Sequence, residues 1–308
     1  MFIISAKSKY LVVIGGPTAV GKTDLGIQLA RHYQSSILSA DSRQFYEELN
    51  IGTAKPSPDQ LSEVKHYFIN TKKITELYGA GHFEKDAIRL LKELFENNQI
   101  LFMVGGSGLY IDAVINGVDD FEEIPQEIRE GLNKEYASKG LKWLQSEIEK
   151  NDNAHYLTVD KKNVQRLIRA LEVYRHTGLP YSSFLNKRKN ERNFIPIKIL
   201  INCEREKLYS NINKRVDDMI QNGLLDEAKR LMDYKHCNAL KTVGYKEIYE
   251  HLEGKYDLST AVEKIKQHTR NYAKRQITWF KNRDIFEEFG PDDLEKIKAF
   301  INIIVEHD

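Results

Sequence analysis

The chain has 308 residues, of which 41% are hydrophobic and 30% are charged, a composition typical of a globular enzyme and unlike that of a disordered protein. The formal net charge is only +1, so any site for a polyanion must come from local clustering of charge. Two isolated cysteines, Cys203 and Cys237, argue against a zinc site or a disulfide framework and indicate a reduced, cytoplasmic compartment. We find neither a signal peptide nor an apolar run of membrane-spanning length, so no membrane partner is expected.

The first predicted elements are a strand, a glycine-rich loop and a helix. Residues 10–16 (YLVVIGG) form an apolar run that predicts a buried parallel strand, and residues 22–33 carry apolar side chains in a helix-like pattern. Between them lies GPTAVGKT (16–23), the GxxxxGKT spacing of a phosphate-binding loop. Loop amides and the helix N-terminus predict an anion site, to which Lys22 adds positive charge and Thr23 a hydroxyl ligand for Mg²⁺. Such loops usually hold ATP or GTP, but the motif does not say which phosphate is bound.

Two further strand ends carry polar residues. Residues 35–41 predict a second strand that ends on Asp41, at the edge where parallel sheets build their sites. Asp41 is a candidate Mg²⁺ ligand or general base, and equally a candidate cap for a following helix. The loop GGSGLY (105–110) combines small residues, which let its backbone approach a ligand, with the hydroxyl of Ser107. A tight turn with a purely structural role is the alternative interpretation of this loop.

Strands alternating with helices predict an α/β protein. Residues 66–70 and 100–108 read as strands, and residues 83–98 between them form an amphipathic helix. The fold class is therefore a parallel-sheet core around the phosphate loop, with helices on both faces. Residues 118–195 show helical periodicity and predict an all-helical insertion domain, so residues 1–117 and 196–308 form the core. That core resumes with a strand at 196–202 and is mostly helical from 205 onward, with helix stops expected at Gly223, Gly244, Gly254 and Gly290.

Charge is segregated along the chain. Residues 161–192 hold nine lysines and arginines against two acids, and residues 264–283 hold seven against none. Acidic residues cluster at 119–130 and after 284. Two basic stretches in a near-neutral protein are compatible with a polyanionic partner, although two solvated helix faces would give the same pattern. The histidines show no metal-ligand spacing.

Seven segments in order along nearly the whole chain resemble the tRNA dimethylallyltransferases, also called tRNA isopentenyltransferases. Each is weak to moderate alone, and together they are highly specific. They are GPTAVGKT (16–23), SADSRQFYEELNIGTAKP (39–56), GGSGLYIDAVINGV (105–118), NVQRLIRALEVYRHTG (163–178), RVDDMIQNGLLDEA (215–228), VGYKEI (243–248) and TRNYAKRQITWFKN (269–282). The absence of a zinc-finger extension makes the resemblance one to the bacterial form.

The resemblance implies a reaction and its partners. Such enzymes transfer a dimethylallyl group from dimethylallyl diphosphate to N6 of adenosine 37, beside the anticodon of a tRNA. The donor's pyrophosphate would occupy the phosphate loop with Mg²⁺, and the helical insertion would grip the anticodon stem-loop. We expect a monomer.

Residue by residue, the resemblance also implies the site. Asp41 matches the general base toward the adenine amine, Arg215 matches an arginine that helps hold the diphosphate, and with Thr23 they are the expected catalytic residues. The donor-binding loop is expected to comprise Gly16, Pro17, Thr18, Ala19, Val20, Gly21, Lys22 and Thr23. The residues expected to contact tRNA are Asp41, Ser42, Arg43, Gln44, Ser107, Arg129, Gln165, Arg166, Leu167, Ile168 and Arg169.

The sequence also departs from the family pattern. Ser107 stands where threonine is common, which keeps the hydroxyl, and YGAGHFEKDA (78–87) differs from the usual motif, so contacts there are not carried over. Three other functions stay open: a phosphate-loop kinase of small molecules with ATP in the loop, a prenyltransferase acting on free adenine nucleotides, and a non-catalytic RNA-binding protein. The basic stretches favour an RNA partner, and the intact Lys22, Thr23 and Asp41 favour catalysis.

Overall fold

The computed structural model describes residues 8–119, 124–185 and 191–307. Contacts divide the chain after Ile115 and again before Glu191, which separates an α/β unit made of two chain segments from a helical unit, residues 116–190. Residues 120–123 of the acidic cluster and 186–190 of the first basic stretch lie outside the described residues.

Within the described residues, one sheet of six parallel strands organises the α/β unit, in the order β3-β2-β4-β1-β5-β6. The strands are β1 (Tyr10–Gly15), β2 (Ile37–Ser39), β3 (His66–Tyr67), β4 (Ile100–Val104), β5 (Ile195–Ile201) and β6 (Glu287–Phe289). Ile14 of β1 lies opposite Val104 of β4 and Ile199 of β5, so the loops after these strands meet at one edge of the sheet.

Helices account for most of the remaining chain. In chain order they are α1 (Lys22–His32), α2 (Pro58–Glu63), α3 (Ala80–Leu94), α4 (Gly108–Asn116), α5 (Gln126–Asn151), α6 (Asn153–Thr158), α7 (Val164–Thr177), α8 (Arg205–Gln221), α9 (Leu224–Arg230), α10 (Tyr245–Leu252), α11 (Leu258–Arg283) and α12 (Leu294–Glu306). No helix within the described residues combines the length and the apolar character that a membrane crossing requires.

Both faces of the sheet are buried, which explains why β1 is a continuous apolar run. Val12 and Ile14 belong to a core with residues of α1, α8 and α12. Leu11 and Val13 face the opposite way and pack in a second core with residues of α3 and α4. The predicted parallel sheet with helices on both faces is therefore confirmed.

The helical unit has its own core. The buried residues come from α5 and α7 and include Leu132, Leu144, Ile148, Leu167 and Leu171. Residue Gly140 interrupts α5 with a non-helical conformation. The described residues of this unit contain no strand, in agreement with the helical periodicity of the sequence.

Two details of the C-terminal prediction are wrong. Gly223 and Gly254 follow the ends of α8 and α10, but Gly244 precedes α10 as its N-cap residue. Gly290 stops no helix, because it follows β6, a short strand in a region expected to be mostly helical. Glu287 and Glu288 are exposed, so no apolar pattern marks this edge strand in the sequence.

Candidate active site

The phosphate-binding loop connects β1 to α1 and is built for a backbone contact with an anion. Gly21 adopts a left-handed conformation (φ 103°) immediately before α1, and no side chain caps the helix there. A residue with a Cβ atom adopts this conformation only at a cost, which accounts for the glycine of the motif. Uncapped amides at the start of a helix, together with the helix dipole, attract anions, so this end of α1 is a candidate anion site.

Two half-buried cations converge on this loop. Lys22 Nζ donates to the Pro17 carbonyl oxygen over 2.6 Å, and Arg215 Nη1 of α8 donates to Thr18 Oγ1 over 3.1 Å. Burial and the nearby charge of Arg215 lower the pKa of Lys22 to about 7, while the negative charge of Asp41 opposes this shift. Burial also lowers the pKa of Arg215, again opposed by Asp41. The structure thus brings Lys22, Arg215 and Asp41 into one electrostatic cluster beside the loop.

Asp41 follows β2 and shapes a turn. Its Oδ1 accepts a hydrogen bond from the Arg43 backbone N–H over 2.9 Å, and its carbonyl oxygen accepts one from the Gln44 N–H. No α-helix begins here, so the alternative role of Asp41 as a helix cap is wrong; it caps a turn. The side chain remains partly exposed, which leaves the carboxylate accessible to a substrate.

The loop after β4 is joined to the loop after β2. Ser107 Oγ accepts a hydrogen bond from the Ser42 N–H over 2.9 Å and lies 3.2 Å from Ser42 Oγ. Arg43 Nη1 reaches the Asn238 carbonyl oxygen. Ser107 therefore lies beside Asp41, although the two residues are far apart in sequence.

Gln44 has a different environment from its neighbours. Its side chain is buried, with Oε1 accepting from Ser39 Oγ over 3.0 Å and Nε2 donating to the carbonyl oxygens of Thr53 and Ala54. These bonds hold the segment that follows Asp41. Within DSRQ (41–44), the side chains that remain accessible to an RNA are those of the first three residues.

Helix α11 contributes residues that sequence reasoning did not assign. Gln276 bonds to the phosphate loop and to the loop after β4, and the side chain of Tyr272, one turn earlier, lies next to Ser107. Asn211 Nδ2 of α8 donates to the Ala19 carbonyl oxygen. In the sequence, the available signal for Gln276 was a polar residue one turn from an aromatic residue in a basic helix. Its hydrogen-bond partners were not readable there, because they depend on the fold.

Two of the predicted RNA-contacting residues of the helical unit, Arg129 and Arg169, meet at one buried acid. Glu172 is only 2% exposed and receives Arg129 at 3.2 Å and Arg169 at 3.3 Å. Arg129 Nη2 also donates to Gln165 Oε1. Arg166 lies exposed on the same helix, α7.

Two residues of this predicted contact stretch are placed differently. Leu167 and Ile168 are 0% and 1% exposed and belong to the core of the helical unit. Their side chains are therefore unavailable to a ligand, and the expectation that they contact tRNA is corrected. Any side-chain contact made by this stretch falls to Gln165, Arg166 and Arg169.

The residues present fit a magnesium ion whose coordination shell is completed by a bound substrate and water. Thr23, the second residue of α1, offers a hydroxyl oxygen, a hard donor of the kind that Mg²⁺ prefers. No group of three or more acids, histidines or cysteines suited to a metal occurs among the described residues. A magnesium ion here would take its other ligands from phosphate oxygens and water.

Comparisons with known proteins extend over nearly the whole chain. The family model described as IPP transferase matches residues 44–283. A tRNA dimethylallyltransferase of Christiangramia forsetii is 50% identical over 289 residues, which cover 94% of this chain and 96% of that protein. A tRNA dimethylallyltransferase of Flavobacterium psychrophilum is 47% identical over 306 residues, which cover 97% and 99%.

Solved structures agree with these matches. The full-length tRNA isopentenylpyrophosphate transferase of Bacillus halodurans superposes with a TM-score of 0.72 at 35% identity, covering 98% of both chains. A eukaryotic dimethylallyltransferase acting on tRNA superposes with a TM-score of 0.81 at 25% identity, covering 97% of this chain and 80% of that one. The chain therefore belongs to the IPP transferase family, together with the tRNA dimethylallyltransferases.

Proposed function

We propose that the protein transfers a dimethylallyl group from dimethylallyl diphosphate to N6 of adenosine 37 in tRNA. The observation that carries this proposal is the cluster of Lys22, Arg215 and Asp41 beside the phosphate loop. It combines an anion site for a leaving group with a carboxylate for a nucleophile. Ser42 and Ser107 lie beside this cluster, and the hydrogen bond between them joins the loops that follow β2 and β4.

The loop and its cations act on the leaving group. As the bond between the allylic carbon and the diphosphate oxygen breaks, negative charge develops on the pyrophosphate. Loop amides, Lys22 and Arg215 lie where they stabilise that charge, and fixed donors of this kind lower a barrier more than mobile water does. Mg²⁺, held through Thr23 and the phosphate oxygens, would neutralise further charge when bound.

Asp41 acts on the nucleophile. The lone pair of the adenine N6 is delocalised into the ring, so the amine attacks weakly until its proton is removed. In the proposed step the N6–carbon bond forms, the N6 proton passes to the Asp41 carboxylate, and pyrophosphate leaves. The hydrogen bond from the Arg43 N–H to Oδ1 orients the carboxylate for this transfer.

We assign RNA binding to the helical unit and to basic helix α11. Exposed Arg166 and the arginines around Glu172 supply positive charge for phosphate contacts, as does the acid-free stretch 264–283. The target base must leave its stack to reach Asp41, and such phosphate contacts offset that cost. Residues 1–117 and 196–308 would then form the catalytic part and 118–195 the RNA-binding insertion of a cytoplasmic monomer.

A transfer assay tests the proposal directly. The protein is incubated with labelled dimethylallyl diphosphate, Mg²⁺ and an anticodon stem-loop carrying adenosines at positions 36 to 38, and a second stem-loop has guanosine at position 37. We expect label in the first RNA only. Turnover of ATP with no label in RNA would instead support the kinase, and label in free adenine nucleotides would support the nucleotide prenyltransferase.

The role of Asp41 is tested with Asp41→Asn, because an asparagine side-chain oxygen still accepts from the Arg43 N–H. We expect the single-turnover rate to fall by about 10²- to 10⁴-fold, the usual contribution of a general base. The stem-loop Kd should change little. The charge of Asp41 raises the pKa of Lys22, so its removal also affects the charge of Lys22. The donor affinities of Asp41→Asn and wild type are therefore compared at pH 6, where Lys22 of the wild type is largely protonated. Equal losses of RNA binding and turnover would make Asp41 a binding residue.

A further inference from the structure

Gln276 links two loops of the candidate site through one side chain. Its Oε1 accepts a hydrogen bond from the Thr18 N–H over 2.9 Å, and its Nε2 donates to the Gly106 carbonyl oxygen over 2.8 Å. Thr18 lies in the phosphate loop after β1, and Gly106 lies in the loop after β4. The side chain is only 6% exposed; its hydrogen bond to Gly106 is buried and its hydrogen bond from Thr18 is partly buried.

The Gln276 amide packs directly against the backbone at Gly106. A Cβ atom at residue 106 would lie 2.3 Å from Nε2, closer than a side chain permits. The glycine therefore allows the amide to approach the backbone closely. Removing the amide would leave a partly buried N–H and a buried carbonyl group without these partners, which costs more than losing an exposed hydrogen bond.

Neighbouring residues of α11 lie against the same edge of the sheet. Tyr272, one turn earlier, lies next to Ser107. Phe280, one turn later, fills the space beside Gly15, where a Cβ atom would lie 2.5 Å from its ring. Positions 272, 276 and 280 form one stripe of the helix. This stripe runs across the carboxyl ends of β1 and β4.

We propose that Gln276 is a positioning residue for the leaving group. By accepting from the Thr18 N–H, it fixes the residue whose hydroxyl accepts from Arg215 Nη1 over 3.1 Å. The chain Gly106–Gln276–Thr18–Arg215 thereby sets the guanidinium against the pyrophosphate, and it ties the phosphate loop to the strand end that carries Ser107. The inference rests on the proposed function in placing pyrophosphate in the loop.

Gln276→Met removes both hydrogen bonds while nearly keeping the volume of the side chain. Because the variant frees Thr18 and Arg215, we expect it to weaken the affinity for inorganic pyrophosphate about tenfold or more. The single-turnover rate with saturating stem-loop should fall about 10- to 100-fold, as displaced catalytic groups commonly produce. The stem-loop Kd should stay close to that of the wild type, whereas the melting temperature should fall by a few degrees, because two polar groups lose their partners. Gln28→Met, at an exposed position of α1, is the matched control and should behave as wild type.

A second perturbation reaches the same contact without changing Gln276. Gly106→Ala forces the amide away from the carbonyl group, so it should reproduce the loss of pyrophosphate affinity. Gln276→Glu covers the case in which the methionine variant does not fold, since its carboxyl group accepts from Thr18 and, when protonated, donates to Gly106. Its pyrophosphate affinity relative to wild type should therefore recover as the pH falls.

Unchanged pyrophosphate affinity in the folded variants would overturn the proposal. So would a loss of stem-loop affinity that matches the loss of rate, because a purely structural role would lower both together. The pyrophosphate measurement needs no RNA and no turnover. If wild-type protein transfers no label to RNA, the proposed function fails, whereas the linkage from Gln276 to the anion site is still decided by pyrophosphate binding.

Discussion

Raising the pH from 7 to 9 is expected to weaken the binding of dimethylallyl diphosphate. The perturbed group is Lys22, whose pKa is lowered to about 7 by burial and by the charge of Arg215, against the opposing effect of Asp41. A lysine in water stays protonated throughout this range. Here the ammonium group loses its proton between the two pH values, and with it the charge that attracts phosphate oxygens.

The magnitude follows from the protonated fraction. Above a pKa of about 7, the fraction of charged Lys22 falls about tenfold per pH unit. If only the charged form binds the donor, the Kd rises about 50-fold from pH 7 to pH 9, or about 2.3 kcal/mol. The second ionisation of a phosphate monoester has a pKa of about 6, so titration of the ligand contributes little over this range.

Calorimetry without RNA measures the Kd at constant ionic strength and isolates binding from turnover. Lys22→Met should bind the donor weakly at every pH and lose the slope. Arg215→Gln should shift the pH at which the donor Kd begins to rise to a higher value, because the substitution removes a positive charge that lowers the pKa of Lys22. A wild-type Kd constant within twofold from pH 7 to 9, or an unchanged slope in Lys22→Met, would refute the reasoning.

Three further predictions concern RNA binding and stability. Arg166→Ala should weaken stem-loop binding and reduce the slope of log K against log salt by about 1; an unchanged slope would remove Arg166 from the interface. Glu227 is 3% exposed and accepts from three backbone N–H groups and from the Tyr245 hydroxyl, so Glu227→Gln should lower the free energy of unfolding by about 1–3 kcal/mol in urea titrations. A loss below about 0.5 kcal/mol would contradict the assigned role of the carboxylate. Leu167→Ala should destabilise the protein by about 2–5 kcal/mol and leave stem-loop affinity of the folded protein unchanged; a selective loss of affinity would restore Leu167 as a contact residue.

Local sequence patterns were sufficient for much of the α/β unit. The phosphate loop, its flanking strand and helix, and the position of Asp41 at a strand end follow from apolar periodicity and from the glycine spacing of the motif. Parallel strands buried on both faces are apolar runs, so β1, β4 and β5 were recognisable without knowledge of their partners. The edge strand β6 was missed because pairing with β5, rather than its own composition, makes it a strand.

The candidate site likewise contains residues that local sequence patterns predicted and residues that they did not. Chemistry-bearing residues close to a motif, such as Lys22, Thr23 and Asp41, were predictable from the sequence. The expectation that Leu167 contacts tRNA failed, because the resemblance marks a stretch of chain and not which of its side chains pack into the core. Gln276 also lay in a recognised motif, but its two hydrogen-bond partners are 258 and 170 residues away. The sequence by itself therefore determined which groups are available for chemistry. Only the tertiary structure decided which of them share one site, because the contacts between them join residues that no local pattern connects.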